Sequence, residues 1–330
     1  MLKHGRALPA ALAAAAFLAL APANGSAQTA LKFGHIVDTA HPIHLGAVAM
    51  NEHVGKCTGG KVKIDIFANS QLGNESALND QIRLGGVDFA NSGASFLSRN
   101  HAHLGISSLP YIFRDRDHAI AFVKSPVLRE LMDGWEKATG QILLSGYYSA
   151  AFHVFAQDAY AKPEDMKGKK IRVPDAPAWL VFYKAIGANP VPISLGDTYL
   201  ALRQGVVDGT NMPLAVGFST KLNEVTKVIT MTFHQMEMAM LLAGAHVKSR
   251  LPADQWQCVV EGGKVYGEVA QREIIKGEDE LRVDATKRNL IRFVDPDLAA
   301  YRTATASIIA EKVKAGEYPQ SLVDRIQAVK

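Results

Sequence analysis

Arg172 is the residue of this chain best suited to binding chemistry. It stands between Ile171 and Val173, in a short apolar stretch that Pro174 ends. A guanidinium offers a planar fork of donors that grips a carboxylate bidentately and keeps its charge across the physiological pH range. The competing reading is one more exposed charge after Lys167, Lys169 and Lys170. Residue types alone leave both open. Trp179, Phe182 and Tyr183 follow at helical spacing; Phe182 suits a core, whereas Trp179, just after Pro177, could edge a cleft. Asn91 and Asn211 could offer amide donors and acceptors to a ligand, but asparagine is equally a turn residue. The closest histidine pairs, His41 with His44 and His101 with His103, come without a Glu or Cys at zinc-enzyme spacing. No Gly-x-Ser-x-Gly motif is present. The segment 55–60 resembles a phosphate loop but lacks the Lys-Ser/Thr that would follow. Neither a metal, a cofactor nor catalytic turnover is expected.

Both asparagines close copies of one segment. Residues 82–91, Ile-Arg-Leu-Gly-Gly-Val-Asp-Phe-Ala-Asn, return as 202–211, Leu-Arg-Gln-Gly-Val-Val-Asp-Gly-Thr-Asn. Each copy reads as a helix end, a Gly stop and a short strand. Two such units suggest two similar lobes, with a ligand cleft beyond the carboxyl ends of their strands. A helix-Gly-strand joint common to α/β proteins is the plainer alternative.

The elements around these residues alternate between strand and helix. Strands are expected over 31–36, 61–67, 87–91, 142–146, 153–157, 170–173, 225–233 and 238–246, with 192–193 extended. Helices are expected over 41–54, 74–84, 117–124, 126–137, 178–186 and 197–204, and one long helix over 252–287 that could span both lobes. Two further helices close the chain. No Pro/Gly/Ser-rich linker separates the halves, which suits an α/β chain whose strands cross between two lobes.

The 330 residues begin with Lys3 and Arg6, an apolar run over 10–21 and small residues to Ala27. That order is a secretory signal peptide, with cleavage expected after Ala27; the run is short of the roughly 20 residues a bilayer span needs. Removing it takes away two positive charges from a formal net charge of +4. No basic run with interleaved aromatics points to nucleic acid. Cys57 and Cys258 are the only cysteines. An exported chain could pair them, but one bridge is not needed to staple a chain this large, and the expectation is that they stay unpaired.

Several stretches, in order, resemble the solute-binding proteins of TRAP transporters, the DctP type. They are Leu31-Lys32-Phe33-Gly34-His35, Gly59-Gly60-Lys61-Val62, Asn69-Ser70-Gln71-Leu72-Gly73, then residues 165–174 from Asp165 to Pro174. Gly187-Ala188-Asn189-Pro190-Val191-Pro192, Tyr199-Leu200-Ala201-Leu202 and Val207-Asp208-Gly209 complete the set. The resemblance implies a two-lobe periplasmic binding protein, bridged by a long helix, that closes on an organic anion. It would act as a monomer and hand the anion to a permease of a small and a large subunit. The lobes would be 28–149 with 238–277, and 150–237 with 278–330. Arg172 falls where the family places its carboxylate-binding Arg. Sialic-acid binders of the family carry a second Arg at the place of Phe152, an Asn at Met212, an aromatic residue at Leu195, and a common Asn falls at Phe233. The resulting candidate ligand set is Arg172, Phe152, Asn211, Met212, Trp179, Ser92, Gly93, Phe233, Leu195 and His35. Three polar positions turned apolar favour a carboxylate with a less polar body, a keto, hydroxy or aromatic acid, because an unpaired buried hydroxyl costs about 1–3 kcal/mol. A sugar acid is the alternative. A periplasmic hydrolase and a sensory protein that presents ligand to a receptor are the readings from other classes.

Overall fold

The computed structural model describes residue 1 and residues 28–330, so the expected leader lies outside the described residues. The strands are β1 (Thr29–Gly34), β2 (Val62–Phe67), β3 (Phe89–Gly93), β4 (Ile142–Ala151), β5 (His153–Ala156), β6 (Lys170–Val173), β7 (Asn189–Pro192), β8 (Gly209–Met212), β9 (Val228–Thr230), β10 (Met236–Ala243) and β11 (Arg292–Val294). They form two sheets, ordered β2-β1-β3-β10-β4 and β11-β9-β5-β8-β6-β7. Each sheet holds one strand that arrives from the other half and runs antiparallel to both neighbours: β10 between β3 and β4, and β5 between β8 and β9. The chain crosses at Phe152, from β4 to β5, and at residues 231–235, from β9 to β10. The two crossings are tied where Phe152 N donates to Gln235 O at 2.9 Å. The two-lobe α/β architecture expected from the sequence is therefore present.

The repeated segment has one structure in both lobes. Helix Glu75–Leu84 stops at Gly85, with φ 79°, and helix Leu195–Arg203 is followed by Gly205, with φ 69°. A side chain there would strain the left-handed backbone that turns the chain back toward the sheet. The repeated Asp then fastens strand to strand. Asp88 and Asp208 each accept from a backbone N–H, of Lys32 and of Lys170, both at 2.7 Å. The motif thus aims β3 and β8 at the same place from opposite sides.

The long helix Ala253–Lys287 packs along helix Pro42–Cys57 and β4. Its glycines permit that contact: a Cβ on Gly263 would lie 2.6 Å from Leu144 Cβ. Farther on, Leu281 joins the apolar cluster around Phe155 and Ile229 in the second lobe, and Arg282 pairs with Asp295 at 2.7 Å. The helix bridges the lobes.

Five expectations need correction. Cys57 and Cys258 form a disulfide, with their Cα atoms 5.8 Å apart. The packing of the two helices brings together residues far apart in sequence, which spacing alone does not reveal. The strand expected over 225–233 is only β9, because residues 222–224 coil into a helical turn and 231–235 cross between the sheets. The strand expected to run to His246 ends at Ala243, and Ala245–Arg250 is a helix whose His246 and Arg250 reach Asp88 at 3.0 and 2.8 Å. Three helices, not two, follow β11. The last of them, Gln320–Gln327, buries Leu322, Val323 and Ile326 in the first core, so the end of the chain leaves the lobe to which 278–330 was assigned.

Candidate functional site

Between the sheets lies a cavity of about 250 Å³, a size for a small molecule. Arg172 comes into it from β6, whose neighbours β7 and β8 hold the strand on both sides. Its Nε donates to Ile193 O at 2.8 Å, while its two Nη groups make no hydrogen bond among the described residues. The side chain is buried, and burial pulls its pKa down to about 9, against the opposing pull of Tyr183 and Glu75. A desolvated guanidinium anchored at one nitrogen, with a free fork, has the chemistry to grip an anion bidentately.

One wall of the cavity is apolar. Phe152 packs on Trp179 with ring centroids 4.4 Å apart. Leu195, Met212, Leu214 and Ile274 extend that surface. The other wall carries polar groups that sequence reasoning did not select. Glu75, the first residue of its helix, accepts on Oε1 from Gly93 N at 2.7 Å and from Ser92 Oγ at 3.0 Å. Burial raises its pKa to about 7, and the neighbouring Glu237 pushes the same way, against those two donors and Arg172. Glu237, on β10, accepts from Ser95 N at 2.9 Å; burial raises its pKa as well. Glu278, from the bridging helix, accepts from Ala151 N at 2.7 Å and lies 3.7 Å from Arg116. Asn91 accepts on Oδ1 from the Tyr147 and Tyr266 hydroxyls, which leaves its NH2 group for the cavity.

Of the ten sequence candidates, Arg172, Phe152, Met212, Trp179, Gly93 and Leu195 line the cavity. The other four are not in its lining. His35 is buried beside His44, Nε2 to Nδ1 3.0 Å, and burial lowers its pKa to about 4. Ser92 lies beneath the wall, where Asn79 donates to it and it donates to Glu75, so it positions that carboxylate. Asn211 is fully buried, with both amide atoms unpartnered among the described residues; strand alternation gives the cleft Met212 and not Asn211. Phe233 sits in the crossing segment with φ 46°, its ring edge-on to His153 at 4.5 Å.

Two of the missed residues left signals. Glu237 is the one charged residue in the apolar strand Met236–Ala243, but that strand was expected to begin at Met238. Glu75 follows the N-cap Asn74, where an acid has an ordinary explanation in the helix dipole.

Residues 33–315 match the model of the DctP family, described as bacterial extracellular solute-binding protein, family 7. The chain belongs to the DctP family. It is a TRAP-type periplasmic solute-binding protein, as the stretches around Lys32, Gln71 and Arg172 led one to expect. Among its DctP relatives is the 2,3-diketo-L-gulonate-binding periplasmic protein YiaO of Escherichia coli, 26% identical over 308 residues, which cover 93% of each chain. A TRAP periplasmic solute-binding protein of Sulfurospirillum deleyianum, solved with bound succinate, is similar at TM-score 0.86 and 27% identity, over 92% of this chain and 100% of that one. Another, from Polaromonas and bound to D-erythronate, is similar at TM-score 0.86 and 26% identity, over 92% of this chain and 99% of that one. Among the described residues, no helix of this DctP protein is long and apolar enough to cross a membrane.

Proposed function

We propose that this protein captures an organic acid in the cavity between its lobes, with the carboxylate on Arg172, and delivers it to a two-subunit TRAP permease. The free Nη fork of the buried Arg172 carries the reading. An isolated buried cation is costly unless an anion completes it, and the cavity at its tip admits one. Phe152, Trp179, Leu195 and Met212 then form the bed for a compact, less polar body. Closure is a hinge movement about the crossings at Phe152 and 231–235. The lobes are 28–149 with 238–277, and 150–237 with the chain from 278 as far as the helix Gln320–Gln327, which docks back on the first. The protein acts as a monomer, binds and does not turn over its ligand, and reaches the periplasm by a leader cleaved after Ala27. The Cys57–Cys258 bond supports that compartment, since disulfides persist where the surroundings oxidise.

A sugar acid is the second reading, favoured by the relatives named for 2,3-diketo-L-gulonate and solved with D-erythronate. A thermal-shift screen of mature protein, unfolded and refolded to strip carried-over ligand, separates the two. A ligand that binds only the folded state raises the midpoint. Shifts with acids of apolar body and none with aldonates or uronates support the first reading. The reverse supports the second. No shift with any organic acid overturns the proposal.

A further inference from the structure

The wall facing Arg172 is charged in a way that a simple acid does not explain. Glu75 and Glu237 stand on either side of Gly93: the Gly93 N–H bonds Glu75, and a Cβ placed on Gly93 would fall 2.5 Å from Glu237 Oε1. A side chain at this position would push the Glu237 carboxylate out of its place. Glu237 is 4% exposed and belongs to the cavity lining; the Ser95 and Ser108 hydroxyls beside it pull its pKa down against burial, but among the described residues its Oε2 meets no cation and no hydrogen-bond partner in good geometry. On Glu75 only Oε1 is engaged among the described residues. Arg172 is near enough to Glu75 to act on its charge. The third carboxylate, Glu278, has its own donors in Tyr148 and Ala151, with Arg116 beside it. The cavity thus joins one cation with a free fork to two carboxyl groups that lack a cationic partner of their own, and burial holds both back from ionising until one arrives.

A keto oxygen only accepts, so it can pair with a carboxyl that stays protonated but with neither once it ionises. A hydroxyl donates a single proton and cancels no charge. With a hydroxy acid on Arg172, the half-buried Glu75 and the buried Glu237 would have to stay protonated or carry a charge with no cation of their own, which is costly. A protonated amine donates three hydrogen bonds and cancels one of the charges.

We propose that the ligand is a zwitterion, a compact amino acid in the broad sense, with its carboxylate on Arg172 and its ammonium group between Glu75 and Glu237. The inference rests on the carboxylate reading of Arg172 and replaces the keto or hydroxy substituent expected from the sequence. Glu237 is then the residue that separates amino acids from hydroxy acids.

Calorimetry with matched sets tests it: amino, hydroxy and keto acids on one carbon skeleton, substituted at the 2, 3 or 4 position, against the stripped mature protein. An amino member is expected to bind at least about tenfold more tightly than its hydroxy and keto partners, the scale of one added charge pair. Glu237→Gln is expected to erase that preference while leaving the hydroxy member bound. The wild-type ranking stands as a test even if the variant does not fold. A hydroxy or keto member that binds while its amino partner does not overturns the inference and leaves the organic-acid reading intact. So does an amino preference that survives Glu237→Gln. Binding of no member, or full affinity in Arg172→Lys, overturns the carboxylate reading and this inference with it.

Discussion

Arg172 is fixed by one bond and, in the proposed function, works through the others. The Nε–Ile193 bond orients the guanidinium, so both Nη groups would meet a carboxylate with little further ordering. Lysine keeps the charge but loses that anchor and the fork. Arg172→Lys is expected to cost about 1.5–3 kcal/mol, the worth of a charged hydrogen bond, roughly a 10- to 100-fold rise in Kd by calorimetry. Unchanged affinity would remove Arg172 from the site. Glu75 carries the pH prediction. Its pKa is raised from 4.5 to about 7, so its neutral form is the one the fold prefers. The stability this gives is full below pH 4.5 and is lost as pH rises through about 7. Glu75→Gln stays neutral throughout, so its midpoint relative to wild type is expected to climb between pH 5 and pH 8. A constant difference would show that burial does not penalise this carboxylate. The buried histidines titrate equally in both proteins and cancel in the comparison. At this scale the sequence was half legible. A charged residue inside an apolar strand exposed Arg172 to reasoning, and the same logic applies to Glu237. Glu75 was hidden because a helix start explains an acid by itself. Neither the face that Asn211 presents nor the path of Phe233 through a crossing follows from residue type.

Elements were easier to read than their contacts. The repeat announced itself because each copy needs a left-handed Gly and then an Asp that clamps the neighbouring strand, and no common residue replaces either at little cost. The ends of β9 and β10 were misplaced because tertiary bonds decide them: His246 and Arg250 pull the chain into a helix toward Asp88. The disulfide lies wholly in this category. It ties the end of helix Pro42–Cys57 to the first turns of Ala253–Lys287, and it restrains the unfolded chain over a separation of 201 residues. Replacing both cysteines by serine is expected to cost about 2–4 kcal/mol, read as a midpoint lowered by several degrees, with ligand affinity unchanged because neither residue lines the cavity. An equal midpoint in the double variant would show that the bond adds nothing to the packing of the helices.

At the scale of the molecule, the lobes are held by the two crossings, the bridging helix and the return of the chain to the first core at helix Gln320–Gln327. A further contact lies at the mouth of the cleft. There Arg99, from the first lobe, donates to the backbone oxygen of Asp175 in the second and lies 3.4 Å from its carboxylate. Both side chains are substantially exposed, so the contact is a weak latch worth no more than about 1 kcal/mol. Arg99→Ala is expected to speed ligand release roughly two- to fivefold in stopped-flow, with little change in the association rate. A larger effect on association than on release would place Arg99 in ligand capture instead. The covalent bond has a consequence for this assembly too. The whole second sheet except β11 lies between Cys57 and Cys258 in sequence, inside a ring that the bond closes. A protease that cuts once in a surface loop of that stretch therefore releases nothing. The cleaved protein keeps its mass and migrates as one band until a reductant is added, and only then separates into two pieces.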